Sequence, residues 1–151
     1  MSDLATLAAK DDIAACIYTL FISTDQRNWA KVRGCFADSV HFDMTSLAGG
    51  NPVKLTPKEI ARAWESGLKS IEHVHHQAGN LQISVDGDKA TAFCYGIALH
   101  YKKTKSGKDV RRFVGGYDFG LEKNSGRGWV IRAFRFDVKF VDGNRELDKS
   151  P

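Results

Sequence analysis

The hydrophobic pattern of this chain changes period once, near residue 72. Before that point, apolar residues recur at three and four positions, the spacing of one helical face. Over 11–24 (DDIAACIYTLFIST), Ile13, Ile17, Leu20 and Phe21 form such a stripe. Asp11 and Asp12 then fall in the first turn, where the helix dipole favours them. A second short helix is predicted over 28–36 from Trp29, Val32, Cys35 and Phe36. Residues 39–44 (SVHFDM) alternate and predict a short strand, after which Gly49-Gly50-Asn51-Pro52 breaks the chain into a loop. The next helix has a strong start signal. Thr56 can cap it, Pro57 suits its first position, and Glu59 completes a capping box. Ile60, Ala63, Trp64 and Leu68 line its buried face.

From residue 72 onward the period is two. Strands are predicted over 72–85, 88–103, 109–123 and 128–141, with hairpins at Asp86-Gly87, Ser106-Gly107 and Ser125-Gly126-Arg127-Gly128. Helices first and long antiparallel strands afterwards define an α+β fold, with helices packed on one face of a curved sheet. The 88–103 strand has two uncharged faces. One carries Ala90, Ala92, Cys94, Gly96, Ala98 and His100; the other carries Thr91, Phe93, Tyr95, Ile97, Leu99 and Tyr101. The small side chains leave open space for a pocket. The aromatic face wants a cover of its own, and with one layer of helices available a second copy of the chain would supply it, in a dimer or trimer.

A length of 151 residues fits a single domain over 1–151, with an ordered core of about 10–142 and disorder confined to the ends. Cys16, Cys35 and Cys94 cannot all pair and show no metal-ligand spacing, so buried free thiols in a reducing compartment are expected. The opening Met1-Ser-Asp-Leu has no secretory character and no segment is long and apolar enough to span a membrane, so a cytoplasmic location without membrane partners is expected. The net charge of +4 invites a nucleic-acid reading. That charge is scattered, however, and its densest run, Lys102 to Arg112, contains a turn and Asp109 and reads as a solvated hairpin tip. No nucleic-acid partner is expected.

Candidate chemistry centres on a few polar residues. Asp25 ends the first helix, where the dipole disfavours a carboxylate; locally it reads equally as a cap for the next helix. Of His73, His75 and His76, alternation puts the first two on one face and His76 on the other, with Val74 and Ala78. That splits the cluster and argues against a metal site. A bulge at Gly79-Asn80 would turn Leu81, Ile83 and Val85 inward as well. His100 is an unusual polar member of a small-residue face. Asp43 is a second candidate carboxylate or else a turn residue. Tyr18, Tyr95 and Tyr117 could donate hydrogen bonds or pack, and Trp29, Trp64 and Trp129 read as packing anchors. Gly115-Gly116 lie within a strand and mark a bend. No GxSxG, GxGxxG, P-loop or HExxH motif is present.

The order of these elements carries a resemblance. Asp25 is followed by Asn28-Trp29, then Phe36-Ala37-Asp38, then His41-Phe42-Asp43-Met44-Thr45-Ser46-Leu47. Later come His76-Gln77-Ala78-Gly79-Asn80, Val85-Asp86-Gly87-Asp88-Lys89-Ala90 and Gly128-Trp129. Over roughly 10–142 the chain resembles the SnoaL-like branch of the nuclear-transport-factor-2-like superfamily, and within it the scytalone dehydratases. The resemblance implies a cone: a strongly curved antiparallel sheet closed by about three N-terminal helices around a deep pocket. It implies that Asp25, at the helix end, pairs with His76, and that His100 stands on the next strand as a third catalytic member. Two tyrosines that hold a water in the dehydratases fall at Thr24 and Met44, so that device is absent.

A cofactor-independent lyase, a dehydratase of a small hydrophobic or cyclic carbonyl compound, is the implied activity. Tyr18, Asp43, Met44, Trp64, Tyr95 and Tyr117 are its candidate substrate-binding residues. The alternatives are an isomerase or polyketide-cyclase-like enzyme with Asp43 as base, or a non-catalytic binding or assembly module.

Overall fold

The computed structural model describes residues 3–151; Met1 and Ser2, which begin the segment read as carrying no signal, lie outside the described residues. The first helix, α1 (Leu4–Asp25), starts about two turns before the apolar stripe does. Asp3 caps it by accepting from the Thr6 amide at 2.7 Å. The added turns (LATLAAK) are rich in good helix formers but bury no face: Leu4 and Leu7 are exposed. A search for a buried stripe therefore misses them, and Asp11 and Asp12 stand inside the helix instead of in its first turn. From Ile13 onward the helix buries Ile17, Leu20 and Phe21 as expected.

A short α2 (Trp29–Gly34) follows, capped by Asn28, and then β1 (Phe36–Asp43). A single turn, α3 (Thr45–Ala48), and a short strand, β2 (Val53–Leu55), flank the glycine break and are absent from the sequence reading. Each buries little, so neither leaves a period. The α4 helix (Pro57–Leu68) has the full capping box, with Glu59 N to Thr56 Oγ1 at 3.2 Å and Thr56 N to Glu59 Oε2 at 2.9 Å. The long strands are β3 (His73–Asp86), β4 (Lys89–Tyr101), β5 (Val110–Asn124) and β6 (Gly128–Gly143). A 3-10 turn at Leu147–Lys149 packs back on the fold, with Leu147 fully buried beside Leu68, Ile71 and Val74. Regular structure thus extends past both ends of the 10–142 core.

The six strands form one sheet in the order β2-β1-β6-β5-β4-β3. All neighbours are antiparallel except β1 and β6, which run parallel. The long connection between those two, through α4 and the β3–β5 meander, allows a parallel pair that a hairpin could not make. The sheet is curved but unclosed, with β2 and β3 as its edges. Register shifts bend it at Gly79/Gln82, Val114/Gly115 and Gly120/Leu121. The first includes Asn80 at φ +57° and turns Leu81, Ile83 and Val85 toward the core, as the bulge reading requires. At the second, a Cβ on Gly115 would lie 2.2 Å from the Asp137 carbonyl oxygen. Only glycine permits that approach.

The concave face holds the core: Ile13, Ile17 and Leu20 of α1 and Ile60 of α4 meet Phe36, Leu121, Ile131 and Phe134 of the sheet. Along β4 the small face is buried, while Tyr95, Ile97 and Tyr101 on the other are 46%, 39% and 37% exposed. That is the face for which a second copy of the chain is expected. Cys35 and Cys94 are buried and Cys16 partly so, all as free thiols. Among the described residues no helix is long and apolar enough to cross a membrane.

Candidate active site

Two elements bring the central pair together. Asp25 is the last residue of α1, and His76 is the fourth residue of β3. Arg27, at φ +56°, ties the end of α1 to the connection between α4 and β3 by donating to the carbonyls of Leu68 and Ile71. Asp25 does not cap α2; Asn28 does. Both Asp25 oxygens go instead to His76: Oδ1 lies 2.6 Å from the ring Nδ1, and Oδ2 accepts from the His76 backbone amide at 2.9 Å. The side chains are only 16% and 18% exposed, and Phe21 stacks on the imidazole at 5.4 Å. A carboxylate only accepts, so His76 Nδ1 carries a hydrogen toward Asp25, and in the neutral ring Nε2 is left with the lone pair. His73 and His75 are exposed on the other face. Among the described residues no three His, Cys, Asp or Glu side chains come together as a metal nest.

His76 opens on a cavity of about 210 Å³ between the helices and the concave face of the sheet. Its walls are mainly Phe21, Trp64, Phe113, Phe134 and Phe136, with Met44 and Leu47 near α3 and Ala63 and Gly67 from α4. The remaining polar members are Thr24, His100 and Tyr117. Thr24 spends its hydroxyl on the Leu20 carbonyl at 2.8 Å. Tyr117 is boxed by Phe21 and Phe136, with centroids at 4.9 and 4.7 Å, and its hydroxyl has no protein partner among the described residues. Burial, with Cys94 and Asp25 nearby, pushes that hydroxyl well above the usual phenol range, so it stays a donor.

His100 is buried, and its Nδ1 lies 3.1 Å from Arg111 Nη2. Burial first, then the positive Arg111 and then His76, push its pKa down to about 4, against smaller opposing effects of Asp25 and Asp148. His100 is therefore neutral at pH 7.

The cavity thus unites His76, His100, Met44, Trp64 and Tyr117 of the expected residues, with Asp25 joined to it through His76. It excludes three. Tyr18 is 43% exposed on the outer side of α1. Tyr95 lies on the convex face of β4 under Lys139, whose Nζ sits 4.1 Å from the ring centroid. Asp43 is the turn residue of its bland reading: Oδ1 accepts from the Thr45 amide at 3.0 Å and the Thr45 hydroxyl at 2.6 Å. It borders a separate groove, which Arg132 and Arg135 also line. The small face of β4 also serves differently from expectation. A Cβ on Gly96 would meet the Tyr117 ring at 2.1 Å, so the space before Gly96 is filled by that ring. Only Ala98 and His100 of this face reach the cavity.

Sequence reasoning missed Arg111. It belongs to the run Lys102–Arg112 read as solvated, yet its side chain is 11% exposed. The signal was in the hairpin: β4 and β5 pair so that His100 faces Arg111 directly. Cross-strand partners share a face.

The SnoaL-like domain model matches residues 5–135. The chain belongs to the SnoaL-like family. No curated protein matches it by sequence. Among solved structures, the Kfla4162 protein of Kribbella flavida superposes with a TM-score of 0.88 at 18% identity, covering 95% of this chain and 98% of that one. A candidate scytalone dehydratase from Novosphingobium aromaticivorans gives 0.78 at 14% identity, covering 92% and 89%. Hexachlorocyclohexane dehydrochlorinase LinA-type3 from Novosphingobium barchaimii LL02 gives 0.77 at 16% identity, covering 95% of both. At these identities the likeness is one of fold.

Proposed function

We propose that this SnoaL-like domain is a cofactor-independent lyase that eliminates water from a small cyclic β-hydroxy carbonyl compound. The observation that carries the reading is the His76–Asp25 contact of 2.6 Å at the wall of an apolar cavity. His76 Nε2 removes the proton α to the carbonyl, and the C–H electrons form an enolate. Asp25 holds the Nδ1–H tautomer and stabilises the imidazolium as it forms. The enolate oxygen takes hydrogen bonds from His100 Nε2–H and the Tyr117 hydroxyl, the two cavity groups left to replace the missing tyrosines. The enolate electrons then expel the β-hydroxyl, which leaves as water with the proton held by His76. The base returns to its starting state.

Cavity shape supports the substrate class. Aromatic walls and a volume of about 210 Å³ suit a flat molecule of one or two rings. The names of two solved neighbours, a dehydratase and a dehydrochlorinase, both denote β-eliminations. Asp43, the base of the isomerase alternative, stands outside this cavity, which favours elimination through His76.

The test is turnover of cyclic β-hydroxy ketones, followed by the ultraviolet absorbance of the conjugated product. His76→Ala and Asp25→Asn should each reduce kcat by about 10²–10⁴-fold. Wild-type turnover in both variants would refute the reading.

A further inference from the structure

Arg111 is buried in a place that stability alone does not explain. Its Nη1 donates to Asp148 Oδ1 at 2.7 Å and to the Arg145 carbonyl at 3.1 Å, and its Nη2 reaches His100 Nδ1. Its Nε is buried with no hydrogen-bond partner among the described residues. Burying a guanidinium is costly, and leaving one of its N–H groups idle makes it costlier. An apolar side chain of similar volume would fill the same place at less expense.

What that side chain could not do is orient an imidazole. We propose that Arg111, itself held by Asp148 of the C-terminal turn, is a positioning residue that fixes His100 with Nδ1 as acceptor and Nε2–H as the donor left for the cavity. A guanidinium has donors only, so His100 Nδ1 must accept. A neutral imidazole with an accepting Nδ1 carries its proton on Nε2. His100 then has the opposite tautomer to His76, whose Nδ1 donates to Asp25. One imidazole enters the cavity as an acceptor of protons and the other as a donor of a hydrogen bond. A base and an oxyanion donor need that division, and two equivalent histidines would not supply it.

The anchor is built into the fold. Leu147 is fully buried, and the Asp148 carbonyl accepts from Ser70 Oγ at 3.1 Å and Lys102 Nζ at 3.4 Å. The Asp148 carboxyl is held below the usual carboxylate range, chiefly by its hydrogen bond from Arg111. The charged and titratable groups facing His100 are Arg111 from β5, Asp148 from the turn, His76 from β3 and Asp25 from α1. Of these, Arg111 is the largest charge effect on its titration.

This inference rests on the elimination reading, in which His100 is the donor, but its test needs no substrate. Nitrogen-15 NMR of the histidine rings gives both tautomer and titration. Wild-type His100 should show a protonated Nε2 and a bare Nδ1 at pH 7. In Arg111→Met the titration midpoint should rise by on the order of one pH unit, and the two tautomers should mix. If Arg111→Met does not fold, Arg111→Gln, which keeps donors toward Asp148 but no charge, is read the same way. A wild-type His100 protonated on Nδ1, or a folded variant with unchanged tautomer and midpoint, overturns the proposal. Loss of turnover in His76→Ala is a separate result and bears on the elimination alone.

Discussion

Replacing Gly96 by alanine tests how the cavity wall is built. The new methyl group would sit 2.1 Å from Tyr117 Cε2 and 2.7 Å from Cδ2, whereas ordinary contact begins at about 3.4 Å. The ring must therefore retreat by about 1.3 Å, the difference between 2.1 and 3.4 Å. It cannot do so freely. Phe21, Phe136 and Phe134 stand at centroid distances of 4.9, 4.7 and 5.8 Å, and Phe119 stacks at 6.1 Å. The remaining free direction is into the cavity that Tyr117 lines. Overpacking of this kind costs about 1–3 kcal/mol. For a chain of this size that lowers Tm by roughly 2–12 °C, taking about 2–4 °C per kcal/mol. Urea unfolding of Gly96→Ala, Tyr117→Leu and the double variant measures it. The two substitutions should couple, with the double variant less destabilised than the sum of the singles by more than about 0.5 kcal/mol. An unperturbed Gly96→Ala midpoint, or simple additivity, would show that the ring does not occupy this space.

Two further predictions follow from the same cavity. Tyr117→Phe keeps the ring and removes a hydroxyl with no protein partner, so stability should change by less than about 0.5 kcal/mol. Turnover of the substrate class above should fall by about 10²-fold or more, and an unchanged kcat would remove Tyr117 from the oxyanion site. His100 gives a pH dependence whose sign is fixed by its lowered pKa. Between pH 6.5 and about 4 the unfolded chain binds a proton on this residue that the native chain does not, so stability falls as pH drops through that window. At about 1.36 kcal/mol per pH unit, the loss approaches about 3 kcal/mol. His100→Gln, measured by urea unfolding at pH 7 and pH 4.5, should lack most of this slope; equal slopes in the two proteins would count against a neutral buried His100.

How far the sequence reveals this site depends on which signal each residue leaves. His76 is legible because alternation is a local rule and its neighbours Val74 and Ala78 are apolar. The bulge at Gly79-Asn80 is legible because glycine and asparagine are what a register shift needs. The pairing of Asp25 with His76 is not, since 51 positions separate them and local pattern offers the aspartate a role as a helix cap. Family resemblance supplied it, and the two oxygens on one histidine are its physical form. Periodicity misled where burial and exposure depart from the average of their segment. The start of α1 buries nothing, so it leaves no stripe, and Tyr18 and Tyr95 have the chemistry of site residues on faces that turn away from the cavity.

Arg111 is the most instructive of these residues, because its surroundings in the sequence argue against its environment in the fold. Five basic neighbours in the run from Lys102 to Arg112 make a solvated tip the natural reading, and charge density alone cannot distinguish one buried member. Pairing can. The ladder, centred between Lys105 and Ser106, places Arg111 opposite His100, on the buried side of β4, where a cation must find partners. Those partners are a histidine that reading had already set apart and an aspartate in the last four residues. A buried charge beside a polar residue in an apolar wall is thus a relation between strands, visible only when register is worked out before composition is weighed. On the same relation rests the proposed tautomer of His100, and with it the proposed donor in place of the tyrosines that Thr24 and Met44 replace.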